Sequence, residues 1–212
     1  MISIHYFTFG PMGENTYVLW DETKECVIID PGNFNHTENT QLTDFLNKNK
    51  LTPVKLLLTH GHIDHISGKR YILDTYNLLP EMHKGDIFFI ENHLKSAEMY
   101  GLKVEQSPMP KVLINENNTI TFGNSSLNIL HTPGHSPGSI SFYNKQDKFI
   151  ISGDVLFYGS IGRTDLPMGN HQQLITSIKN TLLPLGDEMT VYCGHGQETT
   201  IGFERMNNPF LI

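Results

Sequence analysis

The sequence predicts an α/β fold in a single domain, and three observations carry that prediction. The chain has 212 residues, 38% of them hydrophobic, which suffices for one well-buried core and falls short of two ordinary domains. Short, uniformly apolar runs recur along it and read as strands covered on both faces. The run over residues 53–59 is followed by Ile66, Tyr71, Leu73 and Leu78 at roughly helical spacing, so strand, loop and helix succeed one another.

In chain order, Met1-Ile2-Ser3-Ile4-His5-Tyr6 reads as a first strand rather than a charged, apolar leader. The apolar run Cys26-Val27-Ile28-Ile29 ends in Asp30-Pro31-Gly32, which makes Asp30 a turn or supporting residue. Pro53 sets the start of the 53–59 strand. Residues 86–100 read as a helix, first as one that packs Phe88 or Phe89 into the core and second as a wall facing a site. A loop over 101–110 follows. Further strands are expected over 126–130, 149–153 and 190–194, with a helix over 172–183 and a loop at 186–188. Cys26 and Cys193 each fall within a strand and are expected to be buried free thiols.

Chemistry is concentrated in Thr59-His60-Gly61-His62-Ile63-Asp64-His65, where four strong metal ligands lie within six residues behind a strand. Imidazole with carboxylate suits zinc, iron(II) or manganese, whereas copper(I) would call for thiolate. Asp64 and His65 fall near a helix N-terminus, where a carboxylate is favoured by the backbone dipole. Three later strands each run into one more candidate ligand, His135, Asp154 and His195, and each of these is preceded by a glycine that permits a sharp turn. Seven ligands exceed what one tetrahedral ion takes, so two ions sharing one ligand fit the count. A carboxylate can bridge, which makes Asp154 the natural shared ligand. His135 then joins His60 and His62, and His195 joins Asp64 and His65. Two ions about 3.5 to 4 Å apart lower the pKa of a water between them, which suggests a hydrolase with Asp64 and Asp154 as its catalytic carboxylates.

These motifs, in this order, resemble the metallo-β-lactamase fold superfamily and specifically its glyoxalase II-like branch. The likeness runs from Asn15-Thr16-Tyr17-Val18-Leu19 through the His60 cluster, the His135 loop, Ser152-Gly153-Asp154 and Gly162-Arg163-Thr164-Asp165 to Gly194-His195-Gly196. It implies an αββα sandwich, two mixed sheets with helices on the outer faces and a metal site along one edge, and it divides the ligands between two ions as above. Di-iron oxygen reductases of this fold carry Glu where His62 stands. The zinc β-lactamases with a cysteine ligand would need Cys in place of Asp154 and lack a histidine at the position of His65.

Two activities are compatible with the resemblance. In one, a metal-activated hydroxide attacks an acyl-thioester such as S-lactoylglutathione, and the leaving thiol, with a pKa near 8.5, needs no strong general acid. In the other, the chain is similar to persulfide dioxygenases, which share the Gly-Arg-Thr-Asp string and use a single iron. Arg163 either meets the carboxylate of an anionic thiol substrate or pairs with Asp165. Full-length glyoxalase II enzymes add a helical C-terminal domain that supplies basic contacts to glutathione. Here only residues 196–212 follow the last ligand, with Arg205 their one basic residue, so the chain is expected to be a single domain, 1–212, lacking that addition.

The net charge of −7, with no basic run longer than Lys69-Arg70, speaks against nucleic-acid partners. No apolar stretch approaches 18 residues, so a membrane span is not expected, and a cytoplasmic enzyme acting on a small molecule is. The remaining histidines, His5, His36, His83, His93, His131 and His171, read as surface or supporting residues.

Overall fold

In the computed structural model, which describes residues 1–106 and 108–212, two mixed six-stranded sheets lie face to face with helices packed on their outer faces. The first sheet opens as an antiparallel meander of β1 (Ser3–Phe9), β2 (Glu14–Trp20) and β3 (Glu25–Ile29). Helix α1 (His36–Asn49) crosses over, and β4 (Thr52–Leu57), β5 (Pro80–Met82) and β6 (Val112–Leu113) then add in parallel. Between β4 and β5 lie α2 (Ile63–Ile66) and α3 (Lys69–Tyr76); between β5 and β6 lie α4 (Ile87–Glu91) and α5 (His93–Met99).

The second sheet is built from β7 (Thr119–Phe122), β8 (Ser125–His131), β9 (Ile140–Asn144) and β10 (Phe149–Gly153), antiparallel neighbours in that order. A small hairpin, β11 (Leu156–Phe157) and β12 (Ser160–Ile161), and helix α6 (His171–Ser177) follow. Strand β13 (Thr190–Cys193) then pairs parallel to β10, and β14 (Thr199–Thr200) closes that edge ahead of α7 (Ile201–Asn207).

The uniformly apolar strands are explained by burial on both sides. Val27 and Ile29 of β3 face the core between the sheets, where they meet Ile129, Phe142 and Ile151, while Cys26 and Ile28 face Leu42 and Leu46 of α1. On the opposite sheet Ile150 and Val191 point outward onto Leu174 and Ile178. Cys26 and Cys193 thus sit on different outer faces as free thiols, and burial pushes both up to about 12. Among the described residues, no helix is long and apolar enough to cross a membrane.

Three predicted helices are divided. The segment after the His60 cluster breaks at Gly68, whose amide donates to Pro31 O (2.7 Å) and whose missing side chain makes room for Asn33. The 86–100 segment begins as a 3₁₀ turn over Lys84–Asp86 and breaks again at Asn92. Behind α6 the chain widens into a π turn (Ile178–Leu182) and a 3₁₀ turn (Leu183–Leu185), where Pro184 has no N–H to continue an α-helix. Of the loop expected over 101–110, Ser107 lies outside the described residues.

Candidate metal centre and its cleft

All seven predicted ligands arrive at one edge of the sandwich, because β4, β10 and β13 end there and the β8–β9 loop returns there. The two sheets are stitched at this edge by Ile140 N to Thr59 O (2.9 Å) and Asn15 N to Gly194 O (2.8 Å). Gly153 sits at a register shift between β10 and β13, in the left-handed region (φ 53°), and turns the backbone to deliver Asp154. Gly194 serves differently from the turn that its position suggested. Its φ is ordinary, but an added Cβ would lie 2.1 Å from Asp154 Oδ1, so only glycine lets β13 pass the carboxylate.

The predicted ligands fall into two groups, overlapped by a third set of Asp30, His60 and His65. His60, His62 and His135 bring one nitrogen each to within 4.8 Å of one another, and Asp64, His65 and His195 do the same with a carboxylate and two imidazoles. Asp154 lies between them. Its Oδ2 is 3.5 Å from His135 Nε2 and 3.6 Å from His195 Nε2, and its Oδ1 is 3.3 Å from His65 Nε2. Asp64 Oδ2 lies 3.2 Å from His195 Nε2.

Four of the five imidazoles are anchored through Nδ1, which turns Nε2 inward. His60 Nδ1 meets Thr59 Oγ1 (3.0 Å), His65 Nδ1 meets Asp30 Oδ2 (3.1 Å), His135 Nδ1 meets Arg163 O (2.8 Å) and His195 Nδ1 meets Gly13 O (3.1 Å). Such outer partners fix ring and tautomer and raise ligand basicity. His62 is held by ring packing instead, edge-on to Phe89 at 4.8 Å, with its Nδ1 2.8 Å from His135 Nε2.

The residues fit divalent ions on an observation of their own. His60 Nε2 is buried without a hydrogen-bond partner, His65 Nε2 and Asp154 Oδ1 are buried 3.3 Å from each other with no further one, and His62 Nδ1 and His135 Nε2 bring two lone-pair nitrogens to 2.8 Å, an arrangement costly in a site without a cation. Electrostatics agree. Burial and the neighbouring imidazoles push His62 down to about 3 and His60 well below the ordinary value, so both are neutral, the form that ligates. Burial alone would raise Asp154, but the imidazoles of His65, His135 and His195 outweigh it and hold the carboxyl ionised. Asp64 is likewise lowered, by His65 and His195 against its burial. His65 is raised despite complete burial because Asp154 and Asp64 face it, so this corner favours positive charge.

Several supporting residues were not singled out from sequence. Asp86, buried at the start of α4, accepts from Gly61 N (2.9 Å), Gly138 N (2.6 Å) and Ser136 Oγ (2.6 Å), clamping the His60–His62 loop to the His135 loop. Glu14 is buried beneath His65, with Oε1 3.8 Å from its Nδ1, and burial keeps its carboxyl raised. Asp30, expected to turn or support, does both: it has φ 51° and accepts from Thr59 N (2.7 Å), Thr59 Oγ1 (2.5 Å) and His65.

Away from this centre, His83 and His93 are buried rather than at the surface. The His83 and His131 rings lie 4.4 Å apart, tilted by 31°, near Glu116, close enough together for a further ion. However, Gly85 N–H donates to His83 Nδ1 (3.2 Å), which leaves the proton on Nε2, and Lys84 stands beside the group. It therefore falls short of three lone-pair donors.

The metal centre floors an open cleft of about 670 Å³. One wall is α4 and α5, and both readings of that segment hold, one for each of its adjacent phenylalanines. Phe89 is buried against His62, but Phe88 lines the cleft together with Met99 and Tyr100. The wall is braced from behind: His93 spans Ile90 O and Glu105 O (both 2.9 Å), and the buried Lys69, pushed down to about 7 by burial, donates to Pro108 O (3.3 Å). The facing wall is β11, β12 and the segment from Arg163 to Pro167. The Arg163 side chain pairs with Asp165 through two 2.7 Å bonds, while its carbonyl orients His135.

Comparison with known proteins places this geometry. The model of the metallo-beta-lactamase superfamily matches residues 9–195. The chain is 38% identical to the hydroxyacylglutathione hydrolase GloC of Haemophilus influenzae, over 93% of this chain and 92% of that one. Among solved structures it is similar to the B3 metallo-beta-lactamase BLEG-1 (TM-score 0.91, 38% identity, 99% of each chain). It is also similar to TTHA1623 in a di-iron-bound form (TM-score 0.87, 36% identity, 98% of this chain and 100% of that one).

Proposed function

The chain belongs to the metallo-beta-lactamase superfamily, and from that premise we propose that it is a dinuclear metal-dependent hydrolase of small acyl-thioesters such as S-lactoylglutathione. The observation that carries the reading is the convergence of imidazole nitrogens and carboxylate oxygens from both groups onto the space around Asp154. His60, His62 and His135 would hold one ion, Asp64, His65 and His195 the second, and Asp154 both. Zinc, iron and manganese all suit this donor set. When bound, such ions lower the pKa of water towards neutrality and stabilise an oxyanion.

The chain's own residues prepare that chemistry. The Nδ1 anchors keep Nε2 bare and aimed, and the buried location keeps His60 and His62 neutral. Asp64 and Asp154 are held ionised, the form in which they would hold the ions and balance their charge. Hydrolysis then breaks the carbon–sulfur bond, forms a carbon–oxygen bond and releases a thiol. A thiolate leaves readily and needs no strong general acid. We read the chain as one cytoplasmic domain acting on a small molecule, and its net charge of −7 supports the part of that reading that sets nucleic acid aside.

The test is metal content of protein purified without added metal, paired with S-lactoylglutathione cleavage in air and under nitrogen. Two ions per chain and equal rates are expected. Oxygen uptake with glutathione persulfide by the iron-loaded protein, with no thioester cleavage under any metal, would instead assign the persulfide dioxygenase activity. A cephalosporin belongs in the same assay because of the likeness to BLEG-1, and its faster cleavage would move the assignment to β-lactams.

A further inference from the structure

The cleft walls meet the charges of an anionic carrier only in part. Glutathione brings two carboxylates, and such groups are bound by free, preferably bidentate cations. Among the described residues the cleft offers two cations, of which Lys95, exposed on α5, is free to meet one carboxylate, while Arg163 is not. The Arg163 guanidinium is already engaged on both nitrogens facing Asp165, at 2.7 Å each. Arg205, the one cation of the tail, is turned to Asp187 (2.8 Å) and Leu183 O (2.6 Å) and lines none of the cleft.

What the walls do offer is apolar surface. Phe88, Met99 and Tyr100 on one side face Phe157, Leu166 and Pro167 on the other, with the metal centre at the floor between them. Phe88, Met99 and Tyr100 are 49%, 83% and 48% exposed, an apolar cluster of the kind that marks a binding surface rather than a satisfied core. Tyr100 and Arg163 line the cleft from opposite walls.

Resting on the thioesterase reading above, we propose that the substrate is a thioester whose acyl group is apolar, a medium-length chain or an aromatic ring lying between these walls, with a small thiol that need not be glutathione. The carbonyl has to reach the floor, where charge is stabilised. The acyl chain then extends along the walls, and the occupant's selectivity comes from apolar area rather than from ion pairs. Water adds to the carbonyl carbon, the carbon–sulfur bond breaks, and the thiol leaves with the sulfur electrons and a proton.

The experiment compares acetyl- and hexanoyl-N-acetylcysteamine with S-lactoylglutathione on the metal-loaded full chain. Each buried methylene favours binding by up to about fourfold. Because the wall stays partly open, the hexanoyl ester is expected to exceed the acetyl ester by at least ~10-fold in kcat/KM, and to exceed S-lactoylglutathione as well. Phe88→Ala should cut the hexanoyl-to-acetyl ratio at least ~3-fold, and Phe88→Leu should restore most of it. A second readout is independent of turnover: calorimetry with the stable thioether S-hexyl-N-acetylcysteamine should show binding to the full chain that the S-ethyl thioether lacks. A hexanoyl-to-acetyl ratio near one, or a ratio unmoved by Phe88→Ala, overturns this inference and leaves the thioesterase reading standing. Absence of cleavage of all three esters overturns both.

Discussion

The floor and the walls of the cleft are built on opposite terms. On the floor, four imidazoles are fixed by hydrogen bonds through Nδ1, the fifth is wedged by Phe89, and Asp86 ties the two loops that carry three of them. On the walls, Phe88, Met99 and Leu166 reach the cleft from short helices and loops and touch solvent. The difference separates two tasks. Ligands must stand within a fraction of an ångström of a productive geometry, whereas an apolar wall can adapt to what it covers.

The contrast can be broken most severely at the point where both ligand groups meet. Asp154 faces His65, His135 and His195 at once, so Asp154→Ala should lower the affinity for both ions and depress thioester cleavage by more than ~100-fold. Metal content per chain is the measurement, and a variant that keeps two tightly bound ions would contradict a shared ligand. Asp64 belongs to the second group alone. Asp64→Ala is expected to retain one ion on His60, His62 and His135 and to lose activity on the order of 50-fold. A single-ion variant with full activity would remove the need for the second group.

A milder substitution probes the support rather than the ligands. Asp30 anchors His65 directly and His60 through Thr59, which donates to Asp30 and can accept from the imidazole. In Asp30→Asn one of those N–H or O–H donors faces an amide that also donates. Both metal affinities should fall together, on the order of 10-fold, although Asp30 is not required as a ligand to either ion. Loss at only one site would show that the two groups are supported separately.

The floor was also far more legible in the sequence than the walls. The His60 cluster declares itself by spacing, and the other three ligands by their place behind a strand and a glycine. These are local patterns. The two sheets follow from the same runs, because strands buried on both faces are apolar throughout. Asp86 gave no such signal, since its partners Gly61 and Gly138 lie 25 and 52 residues away and meet it only through the fold. The break at Asn92 was equally silent, and with it which face of the 86–100 segment meets the cleft. Phe88 and Phe89 are neighbours in sequence, yet one is exposed and the other packs on His62, a distinction that only tertiary packing decides. Helix α7 falls in a tail whose mixed composition carries no clear period.

Arg163 brings floor and wall together in a single residue, and so gives the smallest but sharpest comparison. Its carbonyl accepts from His135 Nδ1 and belongs to the floor; its guanidinium is exposed, held by an equally exposed Asp165, and belongs to the wall. Arg163→Ala keeps the carbonyl and removes the ion pair. Exposed pairs of this kind contribute little, and a neutral thioester offers the guanidinium no carboxylate in exchange for Asp165. The variant should therefore retain two ions and change kcat/KM for a neutral thioester by less than about threefold. The same comparison with S-lactoylglutathione sharpens the result. If the guanidinium leaves Asp165 to meet a substrate carboxylate, KM for that ester alone will rise at least ~10-fold while kcat and metal content hold, and the wall would then carry a charge-reading element that its resting geometry conceals.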